Sequence, residues 1–231
     1  MIISVHQPQY VPWLGYFDKI YKSDIFVYLD DVQYKHREFQ NRNKIRTKDG
    51  PLWLTVPVIY SGQGRQPICD VVIDNSSRWN EKHLKSLEAW YAHAPFFKEH
   101  HNFFSELYEK NWEKLGELNI HIIEYMLKQF GVNKQILFES QLGITTQKTD
   151  RIVDICRKLK ADAYLSGSGG RDYLEEAKFT EAGIKLIYQE FKHPAYKQQF
   201  CSGEADFMPF MSGIDLLFNE GPNSCKILGT A

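Results

Sequence analysis

Residues 1–31, MIISVHQPQYVPWLGYFDKIYKSDIFVYLDD, decide the reading of the fold. Residues 2–5 and 25–29 are short apolar, β-branched runs of the kind found in strands buried on both faces of a sheet. Between them Leu14, Phe17, Ile20 and Tyr21 recur at helical spacing, and Ser23-Asp24 closes the segment. A strand, a helix and a second strand in so few residues predict a parallel pair joined by a right-handed crossover. His6 and Asp30-Asp31 then fall at the carboxyl ends of neighbouring strands, the edge at which open α/β sheets bind ligands. Pro8 and Pro12 fix their own φ and push Gln7 and Val11 toward extended backbone, so His6 is presented by a stiff loop.

Working outward, residues 33–74 differ in character. Lys35, His36, Arg37, Arg42, Lys44, Arg46 and Lys48 interleave with Phe39 and Ile45, and Leu52 to Val58 follow. This pattern predicts a β insertion with a hairpin turned at Asp49-Gly50. The glycine-rich Ser61-Gly62-Gln63-Gly64 is expected to lead into a strand from Ile68 to Ile73. Asn75-Ser76-Ser77 offers a cap for a helix from near Trp79, and residues 95–131 are helical by pattern up to a terminating Gly131, so 79–131 reads as a helical insertion. The α/β alternation then returns with Ile136-Leu137-Phe138, a helix capped at Thr149, Ala163-Tyr164-Leu165 and Ile184 to Tyr188. The fold expected is a single α/β domain over 1–231, with an open, mostly parallel Rossmann-like sheet and two insertions.

The 28 basic and 29 acidic residues nearly cancel, which argues against a nucleic-acid binder relying on bulk positive charge. No apolar stretch is long enough to span a bilayer, and the start does not read as a signal peptide, so a soluble cytoplasmic protein is expected. Cys69, Cys156, Cys201 and Cys225 are widely spaced, without a C-x-x-C pair, and are expected to be reduced thiols. No metal site is read: His100 and His101 are adjacent on a helix and diverge.

Four groups of residues could carry chemistry. His6, with an unperturbed pKa of about 6.5, can act as a general base or simply hydrogen-bond the backbone. Asp30 or Asp31 could orient it, accept a proton, hold a substrate ammonium or coordinate a metal; the plainer role is a turn aspartate satisfying loop amides. Gln40-Asn41-Arg42-Asn43 surrounds a guanidinium suited to phosphate or carboxylate with amides, though a polar hairpin strand has the same composition. Ser166-Gly167-Ser168-Gly169-Gly170-Arg171 follows a strand, so its amides could approach an anion and Arg171 could neutralise it. It is neither a Walker A loop nor a G-x-G-x-x-G fingerprint. Gln7, Tyr10 and Trp13 are expected to line the substrate pocket beside His6.

The chain resembles the WbqC-like family in six segments that occur in order. They are His6 to Phe17, Leu29 to Tyr34, Phe39 to Asn43, Leu54 to Val58, Tyr164 to Gly167 with Gly170 to Leu174, and Ser212 to Asn219. The resemblance implies a place in bacterial surface-polysaccharide (O-antigen) biosynthesis and an N-acyl or aminoacyl transfer, for example of glycine, to the amine of a nucleotide-linked amino sugar. It further implies an activated donor, a carrier-protein or CoA thioester, with an acyl carrier protein as partner. The strand-histidine-loop start is also similar to nucleotidyltransferases and pantothenate-synthetase-like ligases, but Pro8-Gln9 stands where their second histidine would be. A non-catalytic nucleotide-sugar or carrier-protein binder is the other alternative.

Overall fold

The computed structural model describes residues 1–59 and 66–229. Five parallel strands form the central sheet: β1 (Ile2–His6), β2 (Ile25–Tyr28), β7 (Gln135–Phe138), β8 (Ala163–Ser166) and β9 (Lys185–Tyr188). Their order is β7-β2-β1-β8-β9, with Ile3 opposite Ile25, His6 opposite Tyr28, and Ile2 opposite Ala163. The mixed α/β architecture with a parallel sheet is therefore as the sequence pattern predicts.

The two-residue period of a strand sorts these side chains into two cores. Ile3, Val5, Ile25, Val27 and Leu29 face one way and pack with Ile155 and Cys156 of α5 (Lys148–Lys158) and Phe179 of α6 (Glu176–Glu181). Phe26 and Tyr28 face the other way, into a larger core shared with Phe17 and Ile20 of α1 (Leu14–Tyr21). That core continues through α2 (Trp79–Tyr91), α3 (Phe97–Glu109), α4 (Leu115–Gln129) and α7 (Gly213–Glu220), with α8 (Ser224–Gly229) closing the chain. Helices thus cover both faces, α1 on one and α5 and α6 on the other.

Several local expectations are corrected. The hairpin pairs β3 (Arg42–Thr47) with β4 (Gly50–Thr55), and Thr47 opposes Gly50, so the turn residues are Lys48-Asp49 rather than Asp49-Gly50. Thr47 Oγ1 sets this turn: it accepts from the Asp49 N–H at 3.2 Å and donates to the Gly50 carbonyl at 2.7 Å. Gly50, at φ 137°, then opens the strand. The run expected to continue to Val58 breaks before Pro57, which cannot donate to a ladder; β5 (Val58–Ile59) pairs instead with β6 (Val72–Ile73).

Ile68 to Ile73 is accordingly not one strand but a 3₁₀ turn at Ile68–Asp70 followed by β6. The preceding Ser61–Gly64 lies outside the described residues. The 95–131 pattern splits into α3 and α4 because residues 113–115 bond to β6 and its neighbour: Ile73 N–H donates to Glu113 O at 2.8 Å, and Leu115 N–H to Val71 O at 2.9 Å. Gly131, at φ 66°, does end α4. Two caps differ as well. Arg78 precedes α2 while Asn75 bonds Trp112 and Trp79; Gln147 precedes α5 while Thr149 accepts from the Glu175 N–H.

Candidate functional site

From β1 the chain moves through α1 to β2 on one side of the sheet; from β8 it moves through α6 to β9 on the other. The adjacent carboxyl ends of β1 and β8 therefore flank the topological switch point, where open α/β sheets leave a crevice. A cavity of about 550 Å³ opens there, within the range that holds a small-molecule ligand. His6 and Gln9 border it from the β1 side, Gly167, Ser168 and Gly169 from the turn after β8, and Gln189 to Lys192 from the segment after β9. Gly15, Tyr16 and Lys19 of α1 contribute a further wall, and Trp13, Phe39, Phe191 and Phe210 supply aromatic surface.

The stiffness expected of the histidine loop has a physical source. The Tyr10 N–H donates to Phe39 O at 3.0 Å, Asn43 Nδ2 to Val11 O at 2.8 Å, Asn119 Nδ2 to Pro8 O at 3.3 Å, and the Gly213 N–H to Pro12 O at 2.7 Å. Val11 is not in the extended backbone expected ahead of Pro12 but at φ 37°, a conformation a β-branched residue holds only when its surroundings over-determine it. Trp13, immediately before α1, packs edge-on against Phe191 with ring centroids 5.2 Å apart and lies 5.8 Å from Phe210. A Cβ on Gly15 would fall 2.2 Å from the Trp13 ring, so Gly15 is what lets that indole lie over the start of the helix.

His6 Nδ1 lies 3.1 Å from the Gln7 carbonyl, which can only accept, so Nδ1 carries the proton and Nε2 keeps a lone pair. The Tyr16 hydroxyl donates to the same carbonyl at 3.2 Å, and its ring meets the imidazole edge-on. Burial, with the nearby Lys19 charge adding to it, lowers the His6 pKa to about 3, leaving the ring neutral at physiological pH. Lys19 is itself buried, donates from Nζ to Val5 O at 3.0 Å, and is lowered by burial to about 7. Gln189 pins the segment after β9 to α1, donating from Nε2 to Gly15 O at 2.8 Å and to Asp18 Oδ2 at 2.6 Å. Farther along, Tyr196 and Gln198 both bond Asp215 Oδ2 at 2.6 Å, which anchors the stretch between Phe191 and Phe210 to α7.

Of the residues singled out in the sequence, His6, Trp13, Gly167 and Gly169 line this cavity, and Gln7 supports it through its carbonyl. The others lie elsewhere. Asp30 accepts the Ser140 N–H at 3.0 Å and its hydroxyl at 2.6 Å, so the group orienting His6 is a backbone carbonyl and not a carboxylate. The exposed Asp31 lies at the same sheet edge, its carbonyl accepting from Arg151 at 3.2 Å.

The amides of the 40–43 run face inward as braces. Gln40 Oε1 accepts the Lys35 N–H at 2.9 Å, Asn41 Nδ2 donates to Val56 O at 2.9 Å, and Asn43 holds the loop at Val11. Arg42 lies 4.5 Å over the exposed Trp53 ring. Tyr10 is fully buried, its hydroxyl 2.8 Å from His83 Nδ1 and 2.6 Å from the Tyr108 hydroxyl. Arg171 lies 4.1 Å from the centre of the Tyr188 ring. Gly170 is a packing glycine, because a Cβ there would meet Ser166 Oγ at 2.0 Å, and Ser166 is itself buried.

Lys19, Gln9, Gln189, Phe191 and Phe210 line the cavity and were not singled out. Lys19 carried a readable signal, a lysine in the middle of a short helix that joins two buried strands. Gln9 sits in the loop that follows His6, whereas Gln189, Phe191 and Phe210 belong to segments whose approach to the sheet edge depends on the tertiary fold. All four cysteines are free, and none lines the cavity; burial raises the Cys156 thiol to about 12. Among the described residues no cluster of three or more His, Cys, Asp or Glu could hold a metal, and no helix is long and apolar enough to cross a membrane.

The profile of the WbqC-like protein family matches residues 7–227. A protein of Mycobacterium tuberculosis (strain ATCC 25618 / H37Rv), named "Uncharacterized protein Rv1507c", is 33% identical over 220 residues, which cover 95% of this chain and 94% of that protein. No solved structure matches the chain. With a match over nearly its whole length, the chain belongs to the WbqC-like protein family.

Proposed function

We propose that the switch-point cavity catalyses N-acyl or aminoacyl transfer, for example of glycine, to the amine of a nucleotide-activated amino sugar used in bacterial surface polysaccharide such as O-antigen. The observation that carries this reading is the unprotonated Nε2 of His6 in a cavity that combines an aromatic wall with glycine backbone and a lysine. Trp13, Phe191 and Phe210 offer stacking surface to a base or sugar ring. The donor is a thioester of CoA or of an acyl carrier protein, and the reaction takes place in the cytoplasm, where such donors are made.

In the step itself the sugar amine attacks the thioester carbonyl, the new C–N bond forms, and the C–S bond breaks. His6 Nε2 takes the proton that leaves the nitrogen and returns it to the departing thiolate. With no thiol on the cavity wall, transfer is direct and passes through no cysteine acyl-enzyme. One observation favours recognition without catalysis instead: no carboxylate backs His6, and burial leaves it a weak base. Incubation with aminoacyl thioesters and nucleotide amino sugars separates the readings. A transferase adds the acyl mass to the sugar nucleotide and loses that activity in His6→Gln. A binder returns its ligand unchanged, and a nucleotidyltransferase or ATP-using ligase releases pyrophosphate.

A further inference from the structure

Lys19 carries an amine into the interior with no carboxylate to meet it. The residue is 3% exposed, its amine donates to Val5 O, and among the described residues no acidic side chain lies within ion-pair distance of it. Its neighbour Asp18 is committed to Lys22, at 2.8 Å, and to Gln189. Gln9, on the wall of the same cavity and 7% exposed, keeps Oε1 buried with no donor. A cation without an anion and an acceptor without a donor are both costly to bury, and one ligand can satisfy both.

The turn after β8 leaves room for such a ligand. At Gly167 and Gly169 a Cβ would meet nothing within 4 Å, and neither residue has a positive φ, so neither packing nor backbone conformation demands glycine there. The two arginines that could have served an anion are engaged with aromatic rings, Arg171 with Tyr188 and Arg42 with Trp53.

We propose that Lys19 is the phosphate-recognising cation of the cavity, meeting the diphosphate of a nucleotide sugar while Gln9 Oε1 accepts a hydrogen bond from a neighbouring hydroxyl of the same ligand. This rests on the reading of the cavity as a nucleotide-sugar site. Of the ionisable groups that share the cavity wall with Lys19, His6 at the end of β1 feels its charge; the others are Tyr16 on α1 and Glu190 and Lys192 after β9, and the Gly167–Gly169 turn brings no charge. Burial holds the empty-site amine at about 7, and a phosphate brought against it favours the charged form. Binding at pH 8 therefore draws close to one proton from solution.

The test is calorimetric titration of the full chain with a nucleoside diphosphate hexose, whose phosphates do not titrate in this range, at pH 8 in two buffers of different ionisation enthalpy. Sulfate, a non-titrating tetrahedral anion, serves as a second probe. The expected result is uptake approaching one proton per nucleotide sugar, an affinity that falls about tenfold per pH unit above neutrality, and at least about tenfold weaker binding without proton uptake in Lys19→Met. Gln9→Leu is expected to weaken binding while leaving the proton uptake intact. Nucleotide sugar bound without proton uptake, and equally well by Lys19→Met, overturns the role of Lys19 and leaves the nucleotide-sugar site standing. Sulfate bound with proton uptake while nucleotide sugar is refused supports the cation and overturns the nucleotide-sugar site. Failure of both probes to bind overturns both.

Discussion

Replacing Lys19 with methionine should stabilise the protein, and by an amount that depends on pH. Burial lowers this amine from 10.5 to about 7, so between those values the unfolded chain binds a proton that the folded chain does not. Stability therefore rises with pH across the window; the penalty is complete below about pH 7 and gone above the unfolded value. Each tenfold loss of proton affinity is worth about 1.4 kcal/mol, which puts the full penalty at roughly 5 kcal/mol at pH 6 and about 1–2 kcal/mol at pH 9.5. The side chain is 3% exposed, so solvent screening gives little relief. Methionine keeps the length and apolar stem of lysine, and the lost hydrogen bond to Val5 O returns about 1 kcal/mol at either pH. Urea denaturation of both proteins at pH 6 and pH 9.5 should show a gain that is about 3 kcal/mol larger at the lower pH. An equal gain at the two pH values would mean instead that the folded protein leaves this amine at its ordinary proton affinity, and that burial does not penalise its charge.

Three further perturbations probe the same region. Because folding lowers the His6 pKa from 6.5 to about 3, the native state should lose stability as pH falls through that interval; acid titration of His6→Gln should show a shallower loss than wild type, and an identical profile would place the acid sensitivity elsewhere. Gly167→Ala and Gly169→Ala should leave the melting temperature nearly unchanged and weaken nucleotide-sugar binding, whereas Gly170→Ala, forced against Ser166 Oγ, should lose about 1–3 kcal/mol of stability; equal losses at all three would remove the case for ligand space beside the first two. Asn43→Ala frees the Val11 carbonyl and the strained loop that presents His6, so denaturation should show a cost of about 1–3 kcal/mol, and a neutral result would mean that the remaining loop contacts suffice.

The strands and the ligand-binding edge of the sheet were legible because buried parallel strands announce themselves as short β-branched runs, and because the 25–29 run follows the first at crossover distance; the switch point between β1 and β8 was not, since it depends on strand order. The rigidity of the His6 loop was legible too, since proline constrains φ wherever it stands. Side-chain direction was not. Asp30 follows a strand as expected, yet Ser140, 110 residues later, claims its carboxylate. Gln40, Asn41 and Asn43 have the composition of a ligand-binding strand, and nothing local distinguishes that from internal bracing, in which Asn43 holds Val11 while Gln40 and Asn41 bond Lys35 and Val56. Arg171 stands at the end of a glycine-rich turn, but Tyr188 on the next strand draws the guanidinium onto its ring. Phe191 and Phe210 reach the cavity only because Gln189 and Asp215 anchor the stretch between them. Apart from Gln40, whose partner Lys35 is five residues away, the deciding partners are distant in sequence, where periodicity and spacing carry no information.

A crystal structure of the protein soaked or grown with a nucleotide-activated amino sugar decides whether the switch-point crevice is the ligand site. Ligand density is expected between the carboxyl ends of β1 and β8, with the diphosphate against Lys19 Nζ, the sugar amine toward His6 Nε2, and a ring on the Trp13 surface. Density instead in the separate cavity of about 320 Å³ bordered by Trp53 and His83, or an empty switch-point crevice at saturating ligand, would contradict it.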